Sequence, residues 1–413
     1  MDYLKNGDKE VFSLVKEEEK RLSEKITLIA SENYVSKAVL EASGSVFTNK
    51  YSEGYIGTRY YEGQQVIDKL EALAIERAKK LFGAEHVNVQ PYSGSPANAA
   101  VYLAFLKPGD TILGMALSHG GHLTHGSKAS ISGKYFNSIF YEIDKDSGKI
   151  NYEEIRELAL KNKPKIIIAG YSAYPGILDF KKFREIADAS GSILLTDMSH
   201  FAGLVAGGVY PSPVEYSDVV TTTTHKTLRG PRSAIILCKE KYAKKIDKAV
   251  FPGVQGGPHD HITAAKAVAF GEALKPDFSE YSRQIVKNAK VLASCLIDKG
   301  YNLITNGTET HLILIDLRNK NVKGKSAAKA LDKAGIVTNY NSVPYDDCKP
   351  NDPSGLRLGT AAVTSRGFTE KEMTKLGEYL DYIISDCENE VKQKEILGKI
   401  NKLCIDFPIP DSY

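Results

Sequence analysis

The chain has 413 residues and nearly balanced charge, with 54 Lys and Arg against 51 Asp and Glu and a formal net charge of +3. The two signs are interspersed, so composition gives no indication of a nucleic-acid or membrane partner. The N-terminus lacks the order of a signal peptide, and no apolar run approaches the ~20 residues that cross a bilayer. Five scattered cysteines without a C-x-x-C pair are typical of free thiols in a reducing compartment. We therefore expect a soluble, cytoplasmic protein of two or three domains.

The first 65 residues predict a helix followed by an arm without a core of its own. Residues 9–25 place apolar side chains on one helical face, and the apolar run 26–34 ends in polar residues. Residues 49–63 contain four tyrosines and three glycines without a helical or strand period. Such a segment cannot bury itself, so we expect it to lie against a domain, a ligand or a second subunit. A disordered tail is the alternative, which the aromatic content argues against.

A helix is predicted over 68–82, and a short apolar segment at 87–89 precedes a second helix. Ser95 is a good N-cap and Pro96 suits the first helical position, since its missing N–H costs nothing there. Gly94 allows a tight turn just before. The N–H groups of this helix N-terminus predict an anion site, although many helices that start with Ser-Pro bind nothing.

Short apolar strands then alternate with helices. Strands are predicted at 111–114, 165–169, 192–197, 218–224 and 233–238, with helices at 152–162 and 180–190. Strands that are apolar on both faces and separated by helices indicate a mainly parallel sheet covered on both sides. Ligands bind at the carboxyl ends of such strands. Ser172, Asp197 and Lys226 each follow a strand, so we expect them to converge.

The pattern changes near residue 270. A long helix is predicted at 279–299, an alternating strand at 311–317, and helices at 325–334 and 370–388 on either side of a turn-rich stretch. Further helix is expected to about 403, and residues 407–410 end in a loop. We expect an N-terminal arm (1–65), a large domain (66–270) and a smaller C-terminal α/β domain (271–413).

The segment 219–232 carries the most informative chemistry. A β-branched run delivers Lys226 between a histidine and a threonine, and a Gly-Pro turn flanked by Arg229 and Arg232 follows. Burial and cationic neighbours lower the pKa of an amine and make it a better nucleophile. Taken alone, the segment is equally compatible with a surface loop of ordinary cations.

Together these parts match the needs of pyridoxal phosphate: a lysine for a Schiff base, an acid for the pyridine nitrogen, an anion cradle and a ring to stack on. A metal site at His119, His122 and His125 is disfavoured, because these residues span a double glycine with no acidic ligand nearby. A dinucleotide site is disfavoured because no G-x-G-x-x-G opens a helix after a strand.

The residues also carry a resemblance to serine hydroxymethyltransferases that extends over essentially the whole chain. The matching stretches, in the family's order, are Leu28-Ile29-Ala30-Ser31-Glu32-Asn33-Tyr34, Glu53-Gly54-Tyr55, Arg59-Tyr60-Tyr61, Asn88-Val89-Gln90-Pro91, Ser93-Gly94-Ser95, His119-Gly120-Gly121-His122-Leu123-Thr124-His125-Gly126, Asp197-Met198-Ser199-His200, His225–Arg232 and Phe251–Pro258. The resemblance implies the α/β fold of pyridoxal-phosphate-dependent transferases, with a large mainly parallel sheet covered by helices. It also implies interconversion of serine and glycine with tetrahydrofolate as the one-carbon carrier.

The resemblance further implies a role for each site residue. The catalytic set would be Lys226, which carries the cofactor covalently, with Glu53, Tyr61 and His225. Cofactor contacts would come from Tyr51, Ser93, Gly94, Ser95, His122, Ser172, Asp197, His200, Thr223, Arg232 and Gly257, of which Tyr51 and Gly257 belong to a neighbouring subunit. Ser31, Glu53, Tyr61 and Arg357 would bind the substrate, and Leu117, Gly121, His122 and Leu123 the folate. No metal is expected, and a homodimer or higher assembly would share its sites.

Some positions depart from the family's usual pattern. Ile56, Thr58 and Glu62 replace a proline, a lysine and a glycine; Tyr92, Pro96 and Ser233 replace a histidine, a glutamine and a glycine; and Pro350-Asn351-Asp352 replaces the folate-side Pro-Phe pair. None is a residue assigned to the cofactor. A folate-independent β-hydroxy-amino-acid aldolase, or a transferase with another carrier, is therefore the alternative enzyme. A non-catalytic member is disfavoured because Lys226, Asp197 and Arg357 are all present.

Overall fold

The strands are short, and most of them belong to two sheets. The computed structural model describes residues 2–349 and 351–410. In this part of the chain the strands are β1 (Ile26–Thr27), β2 (Gly54–Tyr55), β3 (Thr58–Arg59), β4 (His86–Asn88), β5 (Thr111–Met115), β6 (Asn137–Tyr141), β7 (Ile166–Gly170), β8 (Ile193–Asp197), β9 (Val219–Thr223), β10 (Ala234–Cys238), β11 (Asn302–Leu303), β12 (Leu312–Asp316), β13 (Ile336–Val337), β14 (Asn339–Asn341) and β15 (Gly355–Gly359).

Some of the helices match the predicted apolar periodicity, and others, such as Asp260–Ala273, were not predicted from it. The helices are α1 (Asp2–Gly7), α2 (Lys9–Glu24), α3 (Lys37–Ser43), α4 (Gln65–Phe82), α5 (Gly94–Phe105), α6 (Ile131–Tyr135), α7 (Tyr152–Asn162), α8 (Phe180–Ser190), α9 (Ala202–Ala206), α10 (Ala243–Lys248), α11 (Asp260–Ala273), α12 (Pro276–Asp298), α13 (Gly324–Lys333), α14 (Ala361–Ser365), α15 (Glu370–Ile384) and α16 (Glu390–Asp406). The predictions at 152–162 and 180–190 agree with α7 and α8 at both ends. None of these helices is long and apolar enough to span a membrane.

The large sheet has seven strands in the order β4-β10-β9-β8-β7-β5-β6. Neighbours from β9 to β6 pair in parallel, whereas β10 runs antiparallel to both β9 and β4. Strands β7, β9 and β10 are buried along their whole length. Burial on both faces is why their sequences are continuous apolar or β-branched runs. The predicted fold class, a mainly parallel sheet covered by helices, is confirmed.

A smaller antiparallel sheet, in the order β11-β12-β15-β14, lies in the C-terminal third of the chain. It packs with α13, α15 and α16 around a second apolar core that includes Leu331, Leu376 and Ile400. Strand β1 pairs in parallel with β13 and places Ile26 in the same core, together with Leu28, which directly follows the strand. Helix α12 joins the two cores, since Ile285 belongs to the first and Leu292 to the second. The boundaries at 65 and 270 remain a prediction.

Three predicted details are wrong. Helix α5 begins at Gly94 with Ser93 as N-cap, so Ser95 is not the cap and Pro96 is not the first helical residue. Proline is tolerated here because the N–H groups of the first turn have no intrahelical acceptor. The turn-rich stretch contains β13, β14 and β15, and the helix predicted at 370–388 ends at Ile384. Residues 407–410 lie in a loop, as expected, and Pro350 lies outside the described residues.

Candidate active site

A cavity of about 450 Å³ opens at the carboxyl ends of β7, β8 and β9. Its walls come from both sheets and from the segment after β1. The predicted residues that line it are Ser31, Ser93, Gly94, Ser95, Leu117, Gly121, His122, Leu123, Ser172, Asp197, His200, Thr223, His225, Lys226, Arg232 and Arg357. The sequence-based expectation that residues after different strands converge is therefore met. Tyr51, Glu53, Tyr61 and Gly257 do not line the cavity.

Lys226 lies in the cavity wall, three residues beyond β9. The turn that contains it is closed by a hydrogen bond of 2.7 Å from the Gly230 N–H to the Thr224 carbonyl, and Arg229 in this turn adopts a positive φ of 60°. Burial of the amine, together with the charges of Arg357 and Arg232, lowers the pKa of Lys226 to about 8 despite the opposing charge of Asp197. An amine with this pKa is far more often neutral at physiological pH than an ordinary lysine.

Asp197 ends β8 and is held as a carboxylate by three donors. Its Oδ2 accepts from Asn98 Nδ2 at 2.9 Å and lies 3.1 Å from His125 Nε2, while Oδ1 accepts from the Ser199 N–H at 3.1 Å. Burial alone would raise the pKa of this carboxyl, but the hydrogen bond and charge of His125 hold it well below its usual range. A permanently ionised acid therefore lies in the cavity wall.

His122 presents a neutral ring to the cavity. Its Nδ1 accepts a hydrogen bond of 3.1 Å from the Thr124 N–H, which leaves the proton on Nε2. Burial and the neighbouring His125 lower the pKa of His122 to about 4. An uncharged imidazole is suited to stacking on a planar ligand.

The N-terminus of α5 forms one end of the cavity. Ser93 is the N-cap, yet its side chain makes no capping hydrogen bond, so its hydroxyl is not used within the helix. A Cβ on Gly94 would lie 2.8 Å from Thr223 Cγ2, so this position has room only for glycine while α5 contacts the end of β9. Backbone N–H groups and serine hydroxyls at a helix start suit a phosphate.

Arg357 lies on β15 and lines the same cavity as Lys226. Its Nη1 donates to the Ser172 carbonyl at 2.8 Å and its Nε to Asn339 Oδ1 at 3.1 Å, which fixes the plane of the guanidinium. Burial lowers the pKa of Arg357 to about 10, so the group stays positive at neutral pH. A fixed planar cation in a cavity suits a carboxylate.

Two buried ring nitrogens in the cavity wall lack partners among the described residues: Nδ1 of His200 and Nδ1 of His225. Buried polar atoms are normally hydrogen-bonded, so these atoms point to a polar ligand or to water. Burial lowers the pKa of His225 to about 3 and holds the pKa of His200 well below its usual range. The cavity thus offers a nucleophilic amine, a fixed carboxylate, a flat neutral ring and an anion-binding helix start, and this set fits pyridoxal phosphate.

The four predicted residues outside the cavity form a separate cluster. The Tyr61 hydroxyl lies 3.2 Å from Glu53 Oε2, and the rings of Tyr51 and Tyr61 meet edge-on at 5.6 Å. A Cβ on Gly257 would lie 3.1 Å from the Tyr51 ring. The side chains of Tyr51 and Tyr61 are 57% and 47% exposed. Two half-exposed tyrosines around a carboxylate are available to a second molecule.

Arg59 clamps the backbone on both sides of Glu53. Its Nη1 donates to the carbonyls of Ser52 and Gly54 at 3.0 and 2.9 Å. Its Nε and Nη2 bind Asp68 and Glu71 at 2.9 and 3.0 Å, and the arginine side chain is only 3% exposed. The hairpin β2–β3 is therefore anchored to α4, and this fixes the position of Glu53.

Sequence reasoning assigned no function to several residues that the structure places in or beside the cavity. These are Asn98 and His125, which hold Asp197, the cavity residues Tyr171, Ser199 and Asn341, and Arg59. Asn98 could have been found, because it lies four residues after Gly94 and so on the same face of α5. The sequence spacing of the other residues gave no indication that they would lie in or beside the cavity.

This sheet, with a lysine after β9 and an aspartate ending β8 beside a helix start suited to an anion, defines the fold class of the pyridoxal-phosphate-dependent transferases. A sequence model described as serine hydroxymethyltransferase matches residues 4–380. The chain is 66% identical over 410 residues to the serine hydroxymethyltransferase of Desulfotalea psychrophila, covering 99% of this chain and 96% of that protein. It is 55% identical over 409 residues to that of Acidothermus cellulolyticus, with 98% and 96% coverage. The chain therefore belongs to the serine hydroxymethyltransferase family.

Family membership confirms the predicted enzyme class, a glycine hydroxymethyltransferase of a pyridoxal-phosphate-dependent family. Nothing in the fold or the relatives favours the folate-independent aldolase.

Proposed function

We propose that this chain interconverts serine and glycine with Lys226 as the residue that binds pyridoxal phosphate covalently and tetrahydrofolate as the carbon acceptor. The observation that carries the proposal is the position of Lys226, whose amine lies in the wall of a 450 Å³ cavity with its pKa lowered to about 8. At neutral pH this amine has the neutral fraction that nucleophilic attack requires.

Three features would hold the cofactor. The ionised Asp197 would keep a proton on the pyridine nitrogen, the neutral His122 would lie against the ring, and Ser93 with Gly94 and Ser95 would bind the phosphate. The proposed cofactor contacts are completed by four further residues that line the cavity: Ser172, His200, Thr223 and Arg232. When bound, pyridoxal phosphate supplies an electron sink for the α-carbon of the amino acid.

Arg357 and Ser31 would bind the carboxylate of serine or glycine. Arg357 is fixed by Ser172 and Asn339, so little side-chain freedom remains to be lost when a carboxylate binds. A substrate held at its carboxylate keeps its α-carbon in one place relative to Lys226.

Glu53 and Tyr61 would handle protons at the serine hydroxyl from a second subunit. The negative charge of Glu53 raises the pKa of the Tyr61 hydroxyl, so this hydroxyl stays protonated and donates a hydrogen bond to Glu53. Glu53 is then the group that accepts a proton as the Cα–Cβ bond breaks. His225, beside Lys226, would help to orient the amine.

Tetrahydrofolate would bind at the cavity mouth. Leu117 and Leu123 are 45% and 47% exposed there, beside Gly121 and His122, and give apolar contacts for a pterin. Without the usual Pro-Phe pair in the loop near 350, roughly 1–3 kcal/mol of apolar contact is missing. We therefore expect binding weaker by a factor of ~10–100 than in a relative that has this pair.

One assay separates the proposed transferase from the alternative aldolase. Serine cleavage by the purified protein is measured with increasing tetrahydrofolate, with Lys226→Ala as the control. Saturable acceleration by tetrahydrofolate that Lys226→Ala lacks supports the transferase. An equal rate with and without tetrahydrofolate would assign the folate-independent aldolase instead.

We further propose that the enzyme works in the cytoplasm as a homodimer or larger assembly. The free state of all five cysteines supports the location. The exposed cluster of Tyr51, Glu53, Tyr61 and Gly257 supports the assembly, because these residues lie outside their own subunit's cavity.

A further inference from the structure

Tyr92, which occupies a position where related enzymes usually have a histidine, lies between two parts of the site. It directly precedes Ser93, Gly94 and Ser95 in its own cavity. Its side chain lies instead against the glycine-rich loop 255–258, in which Gly257 is proposed to serve a neighbouring subunit. None of the roles proposed above uses Tyr92.

Three contacts join Tyr92 to this loop and its flank. The Tyr92 hydroxyl donates to the Gly257 carbonyl at 2.7 Å, and the Tyr92 N–H donates to Gln255 Oε1 at 3.2 Å. The ring of Tyr92 stacks on His259 with centroids 4.2 Å apart and planes inclined by 6°. Gln255 in turn donates to the Gln90 carbonyl at 2.8 Å, so both ends of the loop are fastened to the segment 90–92.

The loop 255–258 needs these contacts to hold one conformation, because it contains two consecutive glycines, Gly256 and Gly257. Glycine has the largest backbone freedom of any residue, and this freedom is lost when the loop is ordered around a ligand. The Tyr51 ring also lies beside Gly257, 3.1 Å from where a Cβ would stand. Gly257 therefore has one tyrosine bonded to its carbonyl and a second next to its Cα.

We propose that Tyr92 is a positioning residue that presets the loop 255–258 in one subunit for the cofactor phosphate bound in the partner subunit. The inference rests on the proposed function, in which Gly257 reaches that phosphate. A loop that is ordered before binding loses less entropy on binding, so Tyr92 strengthens cofactor affinity and leaves the chemistry unchanged.

Tyr92→Phe removes the hydroxyl and keeps the ring that stacks on His259. The dissociation constant of pyridoxal phosphate, measured by equilibrium titration of the apoenzyme, is expected to rise about threefold to tenfold, the effect of one neutral hydrogen bond. At saturating cofactor, kcat and the KM for serine are expected to match the wild type. Tyr382→Phe is the matched control, since it removes a surface hydroxyl bound to Glu395 at 3.0 Å.

Hybrid dimers decide whether Tyr92 acts on the partner's cavity or on its own. In a dimer of Tyr92→Phe with Lys226→Ala, the only lysine-containing cavity receives its loop from the subunit that retains Tyr92. This cavity is expected to bind cofactor with wild-type affinity. Weak binding there would mean that Tyr92 acts on its own Ser93, and would overturn the proposal.

A mixture of Tyr51→Ala and Lys226→Ala subunits distinguishes a failure of this inference from a failure of the shared-site proposal on which it rests. If Tyr51→Ala and Lys226→Ala subunits fail to complement each other, sites are not shared and both ideas are wrong. If they complement but Tyr92→Phe binds cofactor as tightly as the wild type, only the role of Tyr92 is wrong. The melting temperature of the Tyr92→Phe apoenzyme is expected to match the wild type; a lower melting temperature together with weaker binding would indicate a general structural role and overturn the positioning role.

Discussion

At the scale of single residues, the site works through opposed charges in a confined space. Burial, together with the nearby Arg357 and Arg232, favours the neutral form of Lys226, while hydrogen-bond donors around Asp197 favour its charged form. Each residue is thereby held in the protonation state that its proposed role requires.

The pKa of Lys226 predicts how cofactor association depends on pH. Only the neutral amine attacks, so the rate of covalent association of pyridoxal phosphate with the apoenzyme should rise about tenfold per pH unit below about 8 and level off above it. Stopped-flow absorbance with apoenzyme measures this rate. A rate that still rises steeply between pH 9 and 10, as for an ordinary lysine with pKa about 10.4, would contradict the lowered pKa.

Arg357→Lys tests the carboxylate site. A lysine keeps the charge but loses the planar fork that Ser172 and Asn339 orient, so the KM for serine is expected to rise about 10–100-fold with a smaller change in kcat. Steady-state kinetics give both constants. The control is Arg318→Lys, which alters an ion pair between the half-exposed Arg318 and the buried Asp316, neither of which lines the cavity; equal effects of the two variants would exclude a substrate contact at Arg357.

At the scale of elements, the hairpin β2–β3 is the part that must be held most firmly. Gly54 has a φ of +96°, and a Cβ there would lie 2.6 Å from the Thr58 carbonyl, so the turn requires glycine. Arg59 bonds the hairpin to α4 through Asp68 and Glu71. The position of Glu53 therefore depends on side chains of another element.

Arg59→Lys should misplace Glu53, because one ammonium cannot reproduce the bonds from Arg59 to Ser52, Gly54, Asp68 and Glu71. We expect kcat to fall about tenfold or more while cofactor binding at Lys226 persists. Steady-state kinetics and a cofactor titration separate the two effects. Arg283→Lys, at an exposed ion pair on α12, is the control. Loss of cofactor binding and kcat together would indicate a general structural role instead.

The elements that could be predicted from sequence are those with a strong local pattern. Helix α8 has a regular apolar stripe, and β7 is a continuous run of buried apolar residues, so both were found. Strand β14 is only three residues long and is not buried, so it left no apolar signal. The predicted start of α5 is too late in the chain. Glycine is needed at position 94 because of the close contact with Thr223, and a tertiary contact of this kind cannot be predicted from local sequence patterns.

At the scale of the whole molecule, the candidate site combines distant parts of the chain. Ser31, Lys226 and Arg357 line one cavity, although they lie nearly 200 and more than 130 residues apart in sequence. Strand positions in the sheet predicted that Asp197 and Lys226 would converge. The order of elements along the chain did not predict that Asn339 would bind Arg357 or that His125 would bind Asp197, because these contacts depend on tertiary packing.

Shared sites predict complementation between inactive subunits. A 1:1 mixture of Tyr51→Ala and Lys226→Ala, each inactive alone, should recover about a quarter of wild-type activity. Half of the randomly formed dimers are hybrids, and each hybrid has one intact site. Activity after denaturation and joint refolding measures this recovery, with separately refolded variants as the control. A fully active monomer at low concentration would rule out shared sites.

The central claim is that Lys226 carries the cofactor, and one experiment tests it directly. The holoenzyme is reduced with borohydride, digested, and the pyridoxyl-labelled peptide is identified by mass spectrometry. The label is expected on Lys226, within the peptide that follows β9, and on no lysine of the Lys226→Ala variant. The alternative position is Lys266, a second buried lysine with its pKa lowered to about 7 by burial. A label on Lys266, or on any lysine other than Lys226, would contradict the account.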